Sequence, residues 1–177
     1  MKRIAALFLA LLTLVLPASA AGEDFVPAPD EFVPEIMSDA YVSDTNYAVA
    51  FMSLYDGETW FHNEESYFQV ASVYKLPLNM YYYELEASGE LDEDSLVAGM
   101  PLDVCHYNSL ELSSNPVSEA MYERLGGYTA FKRLVLPYTG YTEDELMPEY
   151  YNENAFTARM LLNILDYVWE NQDTFSE

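Results

Sequence analysis

Ser72-Val73-Tyr74-Lys75 is the stretch whose residue types and spacing most directly suggest chemistry. A serine and a lysine three apart lie on one face of a helix, about one turn from each other. A lysine amine held there without its charge can take the serine's proton. That turns a weak hydroxyl into a nucleophile for acyl transfer. The same serine has a simpler reading as a helix cap, and the lysine as a surface charge. Pairs at this spacing arise often by chance, so the surrounding chain has to decide.

The elements around the pair give it a defined place. Tyr47–Tyr55 alternates as a strand with two rather apolar faces, which suits burial on both sides. Asp56-Gly57 is a hairpin turn signal, and Thr59–His62 is the partner strand. After a polar loop over 63–67, a helix is expected from about Ser72 to Ser88, capped at Gly89. Pro77 is tolerated only near a helix start, so the helix must begin close to Ser72, which puts the serine near its positive end. Pro116–Leu125 reads as a second helix, stopped by Gly126-Gly127, and Tyr128–Leu136 as a third. Tyr138–Glu153 reads as a polar, tyrosine-rich loop. A last helix runs from Thr157, as N-cap, to Glu170, with an apolar stripe of Phe156, Met160, Ile164 and Val168.

Composition bounds the rest. Lys2 and Arg3, the apolar run Ile4–Leu16 and Ala18-Ser19-Ala20 make residues 1–20 read as a secretory signal, its apolar part short for a membrane span, with a retained N-terminal anchor as the less favoured alternative. Residues 21–40 read as an acidic linker rich in Pro and Gly. Residues 41–177 read as one domain, with no stable membrane span once the signal is removed. The chain carries 30 acidic against 7 basic residues, a net charge of −23. That balance excludes nucleic acid as a partner. Disorder is excluded too, with 51% hydrophobic residues and 16 tyrosines. Cys105 is the only cysteine, so no internal disulfide forms, and it reads as a small buried hydrophobe. His62 and His106 lack metal-ligand spacing and read as structural or surface residues.

Three segments, in order, resemble the serine β-lactamase and penicillin-binding protein superfamily, most closely the class A-like serine hydrolases. Gln69-Val-Ala-Ser72-Val-Tyr-Lys75-Leu-Pro-Leu is similar to that family's nucleophile segment. Ser113-Ser114-Asn115, with a helix and Leu125-Gly126-Gly127 behind it, resembles its Ser-Asp-Asn segment. Asn154-Ala-Phe-Thr157-Ala-Arg-Met-Leu-Leu resembles the helix after its omega loop. The resemblance covers about residues 45 to 170. It implies an α/β fold of the β-lactamase/transpeptidase type, a helical subdomain with an antiparallel sheet flanked by helices.

The resemblance also implies roles. Ser72 attacks a carbonyl and becomes acylated, and its backbone amide forms half of an oxyanion hole. Lys75 is its proton partner. Ser113 relays a proton to the leaving nitrogen, and Asn115 contacts the substrate amide and is a candidate partner of Lys75. The substrate is a β-lactam or an acyl-D-alanyl cell-wall peptide, and no metal or organic cofactor is implied. A deacylating glutamate would come from Glu143, Glu145 or Glu149, which otherwise read as solvated surface acids. Without one, the protein would acylate and stall. Ser113 and Asn115 have their own alternative as turn and capping residues ahead of Pro116.

The chain departs from the family pattern in three respects. Ser114 stands where the family has a carboxylate. The interval from Ser72 to Ser113 is short by about a helix. The Lys-Thr/Ser-Gly strand is missing, and no lysine follows Lys132. Two strands alone make a marginal sheet. The expectation is therefore an incomplete domain, with the N-terminal hairpin and helical part present and the C-terminal strands missing. Charge adds an objection: carboxylates near Lys75 would raise its pKa and repel an anionic β-lactam, unless burial against Tyr74, Leu78 or Tyr82 reverses the first effect. The reading is thus a secreted serine hydrolase. Its alternative is a catalytically inactive extracellular module that binds cell-wall peptide or protein.

Overall fold

The computed structural model describes residues 29–92, 94–97 and 99–175. The expected signal, residues 1–20, lies outside them, as does the start of the acidic linker. The described part of that linker is not extended chain: Pro29–Asp39 forms a helix, α1, with no buried residue. Pro29 opens it, and Asp30 and Glu31 sit in its first turn, where negative charge complements the helix dipole. Proline and acid content, weighed as linker signals, are here a helix start.

Strands β1 (Val49–Met52) and β2 (Thr59–His62) pair antiparallel, with Val49 opposite His62 and Met52 opposite Thr59. The turn closes as Asp56-Gly57 indicates. Gly57 has φ +77°, and its N–H donates to the Ser53 carbonyl at 2.9 Å. The β1 residues are only half-buried, not enclosed on both faces. Helix α7 (Ala158–Glu170) packs against β1.

A second pairing was not legible in the sequence. Strands β3 (Phe68–Gln69) and β6 (Ala155–Phe156) pair antiparallel, Phe68 opposite Phe156 and Gln69 opposite Ala155. They join the chain just before Ser72 to the chain just before α7.

The expected first long helix is split. Ala71–Tyr74 is a 3₁₀ turn, and α2 runs from Lys75 to Ala87 with Pro77 in its first turn. Its end is a Schellman motif: Gly89 N–H donates to the Glu86 carbonyl and Glu90 N–H to the Leu85 carbonyl, both at 2.9 Å, with Gly89 at φ +75°. The chain then makes the short ribbon β4 (Leu96–Val97) and β5 (Met100–Pro101) and helix α3 (Leu102–His106). A π-helical turn follows at Tyr107–Glu111. Helices α4 (Asn115–Arg124) and α5 (Tyr128–Leu134) flank Gly126-Gly127 as expected.

The segment read as a polar loop at 138–153 is largely ordered and partly core. It contains 3₁₀ turns at Leu136–Thr139 and Glu143–Glu145 and helix α6 (Pro148–Asn152). Tyr138 and Tyr150 are buried. Their hydroxyls find partners, Tyr138 on Glu84 at 2.6 Å and Tyr150 on the Lys132 carbonyl at 2.8 Å. A tyrosine so satisfied contributes a large apolar body to a core.

Thr157 caps α7 by accepting from Met160 N–H at 3.1 Å, and a short α8 (Gln172–Phe175) follows. Phe156, Met160 and Ile164 of the expected stripe are buried, with Leu78, Tyr82, Leu102, Met121 and Phe131 in the same core. The result is a mixed assembly of helices and short antiparallel ribbons. Among the described residues, no helix is long and apolar enough to cross a membrane.

Candidate active site

Ser72 lies in the 3₁₀ turn Ala71–Tyr74, and its side chain caps neither that turn nor α2; Val70 and Tyr74 hold the capping positions. The capping reading of Ser72 therefore does not hold. The backbone there is unusual. Ala71 has φ +47°, a left-handed conformation that costs an L-residue roughly 1–2 kcal/mol. Asn154 holds it: Asn154 Nδ2 donates to the Ala71 carbonyl at 2.7 Å, and the Asn154 carbonyl accepts from Val70 N–H at 3.0 Å. Tyr128 donates its hydroxyl to Asn154 Oδ1 at 2.9 Å and fixes the amide. Gln69 Nε2 adds a bond to Glu153 at 3.0 Å. The β3–β6 bridge and Asn154 thus pin the turn that presents Ser72, which is exposed. First-turn amides have no partner within their own helix.

Lys75, the first residue of α2, is only 1% exposed. Its Nζ donates to the Ser113 carbonyl at 2.6 Å, to Ser113 Oγ at 3.0 Å and to Asn115 Oδ1 at 2.8 Å. Burial pushes its pKa below that of an ordinary lysine, and no carboxylate opposes that shift. The anticipated objection from nearby acids is overturned at this atom. The hydrogen-bond partners of the amine are serine and asparagine oxygens, none of them a carboxylate.

Ser113 and Asn115 come to Lys75 because of how the π-turn ends. Ser113 adopts φ +52°, and Ser114 N–H closes back to the Asn108 carbonyl at 2.8 Å. Neither residue caps α4; its cap position is Ser114, which makes no side-chain cap bond. In place of a carboxylate at Ser114, the Ser114 carbonyl accepts from Ser118 N–H at 3.1 Å and Ser118 Oγ at 2.8 Å.

Ser72, Lys75 and Ser113 open onto one pocket of about 310 Å³, completed by Val73, Leu76, Ser109 and Leu110. A groove of about 360 Å³ beside the β1–β2 hairpin, lined by Phe51, Thr59 and Trp60, contains none of the residues singled out by sequence.

The three glutamates are not brought to this pocket. Glu145 closes a capping box, accepting from Thr142 N–H at 2.8 Å and Thr142 Oγ1 at 2.7 Å, which holds its carboxyl below the usual range. Glu143 accepts from the Tyr151 hydroxyl at 3.4 Å. Glu149 is exposed in the first turn of α6.

Several contributing residues escaped sequence reading. Asn154, three residues ahead of the Thr157 cap, carries no local signal of its role at Ala71. Asn79 and His106 are buried and hydrogen-bonded to each other behind Lys75. Lys132 is fully buried, its Nζ 3.2 Å from the Phe156 ring centre and 3.8 Å from that of Tyr150, and it donates to the Ala155 carbonyl at 3.0 Å. A polar residue amid an apolar helical run, such as Asn79 between Leu78 and Met80, was the available signal.

Comparison with known families agrees in class. The model of the beta-lactamase enzyme family matches residues 31–106, a span that contains most of α1, the hairpin, Ser72 and Lys75. That match supports membership of the serine β-lactamase and penicillin-binding protein superfamily, a group of serine hydrolases. No curated protein matches the chain.

Proposed function

We propose that this chain is an extracytoplasmic acyl-transfer protein in which Ser72 attacks the carbonyl of a β-lactam or an acyl-D-alanyl peptide. The observation that carries the reading is the buried Lys75 amine, lowered in pKa and bonded to Ser113 and Asn115 at the edge of the Ser72 pocket. A neutral Lys75 takes the Ser72 Oγ proton as Oγ bonds to the carbonyl carbon. The oxyanion that forms is stabilised by the Ser72 backbone N–H. As the carbon–nitrogen bond breaks, Ser113 gives its hydroxyl proton to the leaving nitrogen and regains one from Lys75. The product is a Ser72 ester. The matched family suggests these substrates, and the hydrophobic leader of the sequence supports export.

The positions of Glu143, Glu145 and Glu149 favour a protein that acylates faster than it deacylates. The experiment is incubation of the purified protein with a fluorescent penicillin and intact-mass analysis, with Ser72→Ala as control. A covalent adduct that disappears in Ser72→Ala is expected.

A second reading, an inactive module that binds cell-wall peptide or protein, is favoured by one observation. All three hydrogens of a charged Lys75 have acceptors, which also suits a purely structural ammonium. Saturable peptide binding without any adduct would establish it.

A further inference from the structure

Asn79 lies one turn beyond Lys75 on α2 and is fully buried. It donates both amide hydrogens, to the Lys75 carbonyl at 2.7 Å and to Ser109 Oγ at 2.8 Å. Its Oδ1 is left as the acceptor and faces His106 Nδ1 at 2.7 Å, so Nδ1 carries a hydrogen. The other ring nitrogen, Nε2, faces Glu86 Oε2 at 3.1 Å. A neutral ring with its hydrogen on Nδ1 and an ionised carboxylate would oppose two lone pairs there. One proton has to lie between them, as imidazolium and carboxylate or as imidazole and carboxylic acid.

We propose that His106 is a positioning residue for the Lys75–Ser113 site, acting through Asn79 and held in place by the proton it shares with Glu86. This rests on the acyl-transfer reading of that site. The route is short. Asn79 ties the Lys75 backbone to Ser109, and Ser109 belongs both to the pocket wall and to the π-turn that leads into Ser113. Ser109 Oγ also meets Ser118 Oγ at 2.9 Å, and Ser118 holds the Ser114 carbonyl. The relative placement of Lys75 on α2 and Ser113 after the π-turn is therefore set by this buried bridge.

Ionisable neighbours reach His106 from two helices. Glu86 and Tyr83, whose ring stacks on the imidazole at 3.9 Å, come from α2; Asp103 comes from α3, the helix of His106 itself, while the neighbouring Cys105 thiol faces the Val97 and Met100 carbonyls. Burial favours the neutral ring and pushes His106 down to about 4, with Asp103 opposing. The bridging proton then belongs to the pair, which titrates as a unit.

The test follows the His106 ring nitrogens and the Lys75 amine by nitrogen NMR across pH on the full chain, alongside acylation by fluorescent penicillin. The ring should report the Nδ1–H tautomer, and the Lys75 signal should move as the pair titrates. Glu86→Gln supplies an amide hydrogen to Nε2 without a shared proton, and should abolish that movement. His106→Ala should slow acylation about tenfold or more, since small misplacements of reacting groups are costly. His106→Asn, whose amide can replace Nδ1 as donor to Asn79, should recover most of the rate. A Lys75 signal indifferent to the pair's titration, unchanged movement in Glu86→Gln, or wild-type acylation by His106→Ala would each overturn the positioning role. A wild-type protein that never acylates overturns the proposed function instead, while the NMR result still decides the role of His106.

Discussion

Lys75 Nζ sits 3.0 Å from Ser113 Oγ and 2.6 Å from the carbonyl oxygen of the same residue. Thirty-eight positions separate the two residues in sequence. Their contact is made by two features that local propensity disfavours: a π-turn, and a serine with φ +52°. Strain of this kind persists only where surrounding structure over-determines it. At Ser113 the determinants are the Lys75 amine and the return bond from Ser114 to Asn108.

Acylation of Ser72 should rise with pH along a limb set by Lys75. Burial lowers the lysine pKa, so the active neutral amine accumulates below the range of a free lysine at about 10.4. Lys75→Arg keeps a charge that is not lost at accessible pH, and Lys75→Ala removes the base. Both should reduce the acylation rate by about 10²–10⁴, measured as adduct formed against time. An acylation rate for Lys75→Arg equal to wild type excludes general-base action.

Asn154 should be worth more than its half-exposed position suggests. It bonds the Ala71 carbonyl, Val70 N–H and the Tyr128 hydroxyl. Asn154→Ala keeps the backbone bond to Val70 but is expected to lose about 1–3 kcal/mol of stability in denaturant unfolding, because the Ala71 carbonyl and the Tyr128 hydroxyl lose their side-chain partner. Ala71→Gly should go the other way and gain up to about 1 kcal/mol, since glycine accepts φ +47° without a Cβ clash.

Lys132 gives stability a pH dependence of known sign. Burial pushes its pKa down to about 6, while the unfolded lysine titrates near its ordinary value. Between those two values the unfolded state binds the extra proton, so stability rises with pH through that window. The slope from this group approaches about 1.4 kcal/mol per pH unit. Below about pH 6 both states are protonated and the contribution is flat. Lys132→Met should remove this component, seen as the wild-type minus variant difference in unfolding free energy between pH 6 and 9.

Substrate charge should matter. Arg159 pairs with Glu64 and Glu65, Arg133 lies over Tyr151, Arg124 bonds the Leu96 carbonyl and Lys132 is buried. Lys75, whose burial favours the neutral amine, is the only basic side chain among the described residues lining the Ser72 pocket, in a chain of net charge −23. An uncharged acyl ester should therefore acylate Ser72 faster than an anionic analogue at low salt. The gap should narrow as ionic strength rises and screening shortens the reach of the surface acids. A salt-independent ratio of the two rates counts against this electrostatic account.

What the sequence determined by itself is local. The Asp56-Gly57 turn, the Gly89 helix stop, the Thr157 cap and the Phe156–Met160–Ile164 stripe follow from φ preferences, capping chemistry and helical period, all written within a few residues. The Ser72–Lys75 pair belongs here too, since one helical turn fixes its spacing. Tertiary structure decided the rest. It made a helix at Pro29 where the composition suggested a linker, buried the tyrosines of 138–153, and joined Phe68 to Phe156. It also brought Ser113 and Asn115 onto Lys75 and left Glu143, Glu145 and Glu149 outside the pocket. The physical reason is that burial and long-range hydrogen bonding set those outcomes. Whether Lys75 can lose its proton depends on desolvation by residues almost forty positions away, which no local pattern encodes. The Ser-x-x-Lys spacing named the possible nucleophile, and the buried, carboxylate-free surroundings of its lysine are what favour chemistry there.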